Sequence, residues 1–180
     1  MKIYTRTGDD GTTGLLFGGR VPKDSPITSA CGDVDEAQAA LGLARSVVER
    51  NSEVDAFLVA LQREMWVLMA ELSTAPDNRH KLAAGQTSVT AVMVEGLEAL
   101  IDDLAARADP PTEFVVPGQT PSAAFLDLAR TIVRRAERHS LAVAVEGSLV
   151  VPYLNRLSDL LWTMARWQEG ESLTARAHQD

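Results

Sequence analysis

The chain has 180 residues, of which 46 % are hydrophobic and 5 % aromatic, and it sets 17 Lys+Arg against 25 Asp+Glu for a net charge of −8. That length fits one domain with a buried core, and the acidic balance, with a pI near 4.9, argues against general nucleic-acid binding. The single cysteine, Cys31, excludes an internal disulfide framework and fits a reducing compartment. The N-terminus lacks the apolar stretch of a secretory signal, and Leu141–Val145 is cut short by Glu146 well before bilayer length. The expected compartment is the cytoplasm.

Residues 1–26 are polar, with five glycines between Gly8 and Gly19, a composition suited to a loop with unusual backbone angles or close ligand approach. A helical pattern starts at Ile27 and steps through Ala30, Val34, Ala37, Leu41, Ala44 and Val48. Ser52 reads as the N-cap of a second helix through Phe57, Leu61, Met65, Leu68 and Leu72, which ends at Pro76–Gly85. A third helix is expected from about Ser88 to Arg107, stopped by Pro110-Pro111. After the extended connector Phe114–Gly118, Thr120-Pro121 reads as N-cap and first helical position of a fourth helix to about Val145. A fifth runs from about Val151 to Gln168, and the polar tail from Gly170 is expected to be loose. Five helices with short breaks describe an all-α five-helix bundle.

Four segments carry chemistry. Tyr4–Gly14, followed by Phe17-Gly-Gly-Arg20-Val-Pro-Lys23-Asp24, offers glycine N–H groups, hydroxyls and two cations to an anion, but it has neither a Walker A ending nor a dinucleotide-binding Gly pattern. Gly32-Asp33-Val34-Asp35-Glu36 puts Asp33 and Glu36 on one helix face, as metal ligands, as partners for arginines or as ordinary surface. Arg130–Arg138 holds four arginines and Glu137 in nine residues, and Arg130, Arg134 and Glu137 fall within about 60° of one another. That face either binds a polyphosphate or pairs with acids of a neighbouring helix. Tyr153–Asp159 adds Asn155, uncommon inside a helix, and an i,i+3 pair of Arg156 with Asp159. His80, His139 and His178 are scattered and no Glu-x-x-His occurs, so no zinc or iron ligand set is present. Cys31 reads as a small core residue, and Phe57, Trp66, Trp162 and Trp167 as packing.

In this order the segments resemble the PduO-type ATP:cob(I)alamin adenosyltransferase family. The resemblance rests on Thr5-Arg6-Thr7-Gly8-Asp9-Asp10-Gly11-Thr12-Thr13, Arg20–Asp24, Gly32–Glu36, Phe114–Gly118, Ala129–Arg138 and Tyr153–Asp159. It implies a homotrimer of five-helix bundles with sites at subunit interfaces, taking ATP, Mg²⁺ and cobalamin and giving adenosylcobalamin and triphosphate. Residues 1–26 would be the nucleotide-binding loop, 27–168 the bundle and 169–180 a loose tail of one domain, 1–180.

By the same resemblance, Thr5, Arg6, Thr7, Gly8, Asp9, Gly11, Thr12, Thr13 and Lys23 wrap the triphosphate. Arg134 and Glu137 contact ATP or its Mg²⁺, and Asn155 bonds the nucleotide. Arg130 pairs with Asp35 of a neighbouring subunit, and Phe114 lies beneath the corrin. A separate protein must supply electrons, and an adenosylcobalamin-dependent mutase is a candidate recipient. The chain departs from the family at Cys31 (usually Tyr), Ala37-Gln38 (often Leu-Asn), Gln119-Thr120 (often with a second Gly) and Asp127 (often His). The competing readings are a non-catalytic ATP- or adenosylcobalamin-binding carrier or sensor, and a purely structural bundle.

Overall fold

A computed structural model describes residues 2–108 and 111–176. Pro110 of the expected helix stop, His178 and the last tail residues lie outside them. Five helices dominate: α1 (Pro26–Ser46), α2 (Glu53–Leu72), α3 (Ala91–Arg107), α4 (Pro121–Leu141) and α5 (Val150–Glu169), with a 3-10 turn at Pro76–Lys81. Within the glycine-rich segment, strands β1 (Thr12–Gly14) and β2 (Arg20–Pro22) pair antiparallel, Thr13 opposite Val21. The all-helical expectation is corrected there: three-residue strands leave no period for a sequence pattern to report.

Local signals set most helix starts. Ser25, Ser52, Thr90 and Thr120 each accept a backbone N–H of the first turn, and Pro26 and Pro121 occupy first helical positions. The third helix begins later than Ser88 because Thr90 is its cap. The fourth ends at Leu141 rather than Val145, since the backbone turns through Gly147 at φ 81° before α5.

The helices neighbour one another in the order α2–α1–α4–α5–α3, so α4 lies between α1 and α5 and makes its broadest contacts with both. Small residues let α1 and α4 approach: Ala30, Ala37 and Ala44 face a helix carrying buried Ala123, Ala129 and Ala136. Leu154, Leu157, Leu161 and Met164 of α5 complete the core. Trp66 corrects its assignment to packing, for it stands 63 % exposed on the outer face of α2.

The tail also departs from expectation. Past Gly170, Val116 donates to the Leu173 carbonyl (2.8 Å) and Ala175 to that of Phe114 (2.7 Å), so residues 173–175 lie antiparallel to the 114–116 connector.

Candidate functional site

The hairpin shapes its own loop. Asp10 accepts from the N–H and hydroxyl of Thr12 at 2.9 and 2.8 Å, which hold its carboxyl below the usual range. Arg20 reaches across to the Thr12 hydroxyl (Nε, 2.9 Å) and the Thr7 carbonyl (Nη2, 2.6 Å). Left-handed backbone occurs at Arg6 (φ 62°) and Gly11 (φ 83°) before the hairpin, and at Phe17, Gly18 and Gly19 (φ 62°, 102° and 94°) in its turn. At Gly8 the fit is tight, since a Cβ would lie 3.0 Å from Lys23 Nζ and 3.1 Å from the Thr12 carbonyl oxygen. Lys23 therefore lies over the loop, and among the described residues it has no carboxylate partner. An ammonium over a glycine-bearing loop offers an anion a cation with backbone donors nearby.

On α4 the arginine cluster divides by helical phase. Arg135 turns toward α1 and pairs with Asp33 (3.0 Å) and Glu36, while His139 contacts the other Asp33 oxygen. These acids hold the Arg135 guanidinium above its ordinary pKa, Glu36 contributing most. Arg130 Nε bonds Asp127 at 3.1 Å. Arg138 donates to the Arg134 carbonyl. Arg134 itself is exposed and carries neither ion pair nor side-chain hydrogen bond among the described residues. Glu137, on the same face, accepts from Asn155 Nδ2 at 3.0 Å, and the Asn155 carbonyl oxygen in turn accepts from Arg156 at 2.6 Å. Arg156 pairs with Glu98 of α3, not with Asp159 as spacing alone implied.

A cavity of about 690 Å³ opens where the 111–117 connector and the tail meet α4 and α5. Phe114, Asp127, Arg130, Trp162 and Arg166 line it, and the Phe114 ring is 91 % exposed.

Arg134, Glu137 and Asn155 thus come together, and Arg130 shares the cavity with Phe114. Thr5–Thr13 and Lys23 form a separate group: among the described residues no hydrogen bond or ion pair links residues 2–24 to α4 or α5. Instead, Leu16 N donates to the Ser73 carbonyl at the end of α2. Asp35 is exposed on α1, about 200° around the helix from Asp33, and so faces away from α4. No group of three or more His, Cys, Asp or Glu that could hold a metal occurs among the described residues.

Sequence reading missed several groups. Arg166 and Asp127 are 39 positions apart and nothing in the sequence links them, although both are buried and bonded at 2.6 Å. Glu71, 1 % exposed, ties together Arg79, the Val89 N–H and Ser148 (each 2.7 Å), a role that a lone glutamate in an apolar helix face could have signalled. Cys31 is half-buried, and burial, then Asp35, pushes its thiol up, away from thiolate chemistry.

Comparison with known proteins covers nearly the whole chain. The Cobalamin adenosyltransferase family profile matches residues 3–168. The chain is 40 % identical over 175 residues to a corrinoid adenosyltransferase of Citrobacter freundii, covering 93 % of this chain and 95 % of that protein. It is 38 % identical over 176 residues to the corrinoid adenosyltransferase PduO of Salmonella typhimurium, covering 96 % of this chain but only 51 % of that relative, so it spans about half the PduO length. Among solved structures, a phenylalanine-to-alanine variant of a PduO-type ATP:corrinoid adenosyltransferase from Lactobacillus reuteri, complexed with cobalamin and ATP, superposes with a TM-score of 0.85 at 27 % identity, covering 98 % and 100 % of the two chains. An arginine-to-lysine variant complexed with ATP gives 0.83 at 27 % identity, covering 97 % and 100 %.

Proposed function

From its membership in the cobalamin adenosyltransferase family, to which this chain belongs, we propose that it transfers the 5′-deoxyadenosyl group of ATP to the cobalt of cob(I)alamin, giving adenosylcobalamin and triphosphate. The Co(I) electron pair forms the new Co–C bond at the ribose C5′. The C5′–O bond breaks, and its pair leaves with the triphosphate. Cobalt being the nucleophile, no side chain of the protein needs to be activated as one, and the raised Cys31 thiol fits that division. The protein's work is to aim C5′ and to stabilise the departing charge.

The observation that carries the reading is Arg134. Of the four clustered arginines it alone projects into solvent with an unengaged guanidinium, beside the Glu137–Asn155 pair. A guanidinium fork there suits phosphate oxygens. Thr5, Arg6, Thr7, Gly8, Asp9, Gly11, Thr12, Thr13 and Lys23 take the other side of the triphosphate, and Asn155 holds the nucleotide. Glu137 has one oxygen on Asn155 and, among the described residues, one without a hydrogen-bond donor, which suits a Mg²⁺ held by a single carboxylate and phosphate oxygens. Bound there, the ion would neutralise leaving-group charge.

The separation of the loop from α4, and the outward face of Asp35, support a site closed between subunits of a homotrimer, with Arg130 meeting Asp35 of its neighbour. Phe114, at the mouth of a cavity, suits the lower face of a corrin, where an apolar ring excludes an axial ligand. Electrons come from a separate protein, and the product passes to an adenosylcobalamin-dependent enzyme such as a mutase. Among the described residues no helix is long and apolar enough to cross a membrane, and we assign the protein to the cytoplasm.

The test is an anaerobic assay with ATP, Mg²⁺ and chemically reduced cob(I)alamin, following the visible spectrum and the phosphate product. Adenosylcobalamin with intact triphosphate is expected. Binding of ATP or adenosylcobalamin with no Co–C bond formed would instead identify a carrier or sensor.

A further inference from the structure

The cavity beneath Phe114 is backed by a row of four alternating charges that the reaction itself does not call for. At the end of α5, Glu169 (side chain 0 % exposed) pairs with Arg166: Nη2 donates to Oε2 at 3.1 Å, and Nε lies 2.8 Å from Oε1, off the hydrogen-bonding line. Arg166, 4 % exposed, stacks 5.8 Å from the Trp162 ring and donates from Nη2 to Asp127 Oδ2 at 2.6 Å. Asp127, 5 % exposed, accepts on Oδ1 from Arg130 Nε at 3.1 Å. Two acids and two guanidiniums balance, so the row leaves no uncompensated charge buried in the cavity wall.

Which atom of Arg130 is held decides what the row does. Asp127 engages Nε alone, and among the described residues Nη1 and Nη2 have no partner. A half-exposed arginine would otherwise sample many rotamers. Gripped at Nε by a carboxylate that is itself fixed from behind, it keeps one orientation and leaves its two-nitrogen end free in the wall of the cavity that Phe114 also lines.

We propose that Asp127 is a positioning residue for the corrinoid cavity, acting through Arg130. This rests on the functional reading above, because Arg130 needs a corrinoid, or the neighbouring subunit closing over one, to act upon. An uncharged residue at 127 leaves Arg130 loose and Arg166 with Glu169 alone, and the cavity loses its fixed cation.

The experiment is a double-mutant cycle read by titration of cob(II)alamin into protein saturated with ATP. Asp127→Asn should weaken corrinoid binding by roughly tenfold or more, with ATP affinity within about twofold of the parent. In an Arg130→Ala background the same change should have no further effect. A loss of equal size in both backgrounds, or equal loss of ATP and corrinoid affinity, would overturn the proposal. If Asp127→Asn does not fold, Asp127→Glu keeps the charge but displaces the guanidinium. It should weaken corrinoid binding only where Arg130 is present, and parent-like binding would equally overturn it. Since affinity is the readout, a parent protein that binds corrinoid but forms no Co–C bond defeats the transferase reading and leaves this cycle intact.

Discussion

The N-terminal loop and the arginine-rich face of α4 solve one problem in opposite ways. In the loop, backbone does the work: left-handed Gly11, a side-chain-free Gly8 under Lys23, and an Arg20 committed to the loop's own oxygens. On α4 the helix is regular, and phase alone sorts the cations, Arg135 to α1, Arg130 to Asp127 and Arg134 to solvent. Each region ends with a cation, Lys23 or Arg134, that has no carboxylate partner among the described residues. Clustered charge does not mark a phosphate site in itself. In the proposed function it is the charge left over after local pairing that meets the phosphates.

Four substitutions probe that contrast. Arg134→Ala should cut turnover by about 10²–10³ while leaving the melting temperature within about 2 °C, because a donor to the leaving group is lost and no native contact. Parent-like turnover would remove Arg134 from the account. Lys23→Ala should cost about 10- to 100-fold in kcat/KM for ATP, the worth of one charge-assisted contact, without changing corrinoid affinity. Asn155→Ala should raise the KM for ATP by roughly tenfold, because it frees the Glu137 carboxylate and removes the nucleotide's partner. Arg135→Ala, one position from the largest effect, should cost only about 1 kcal/mol of stability, since its ion pairs are partly exposed, and should leave kcat near the parent value. A large loss of kcat with an unchanged melt would show that the two adjacent arginines were assigned the wrong way round.

Much of this was legible in the sequence, and the illegible parts share a cause. Caps at Ser52 and Thr120 were readable because a hydroxyl before a periodic run has one physical use. The pairing of Asp33 and Glu36 with an arginine was among the readings of an i,i+3 acidic pair, but only geometry shows that Arg135 is the partner. Asp127 and Arg166 meet across two helices, and the tail meets Phe114 across the width of α4 and α5; spacing along a chain holds no record of either. Trp66 sits at correct helical spacing, yet periodicity cannot tell a covered face from an open one. The small sheet escaped because its strands are too short for alternation to register.

In the proposed trimer the site is assembled from two protomers, the loop of one and the Arg134 face of the next. Mixing tests it most directly: Lys23→Ala and Arg134→Ala proteins, each impaired, are dissociated, combined in equal amounts and reassembled before the anaerobic assay. Activity should recover toward roughly a quarter of the parent value, the share of random interfaces that pair an intact loop with an intact α4 face. Activity no higher than the mean of the two separate variants would contradict it and return both halves of the site to a single chain.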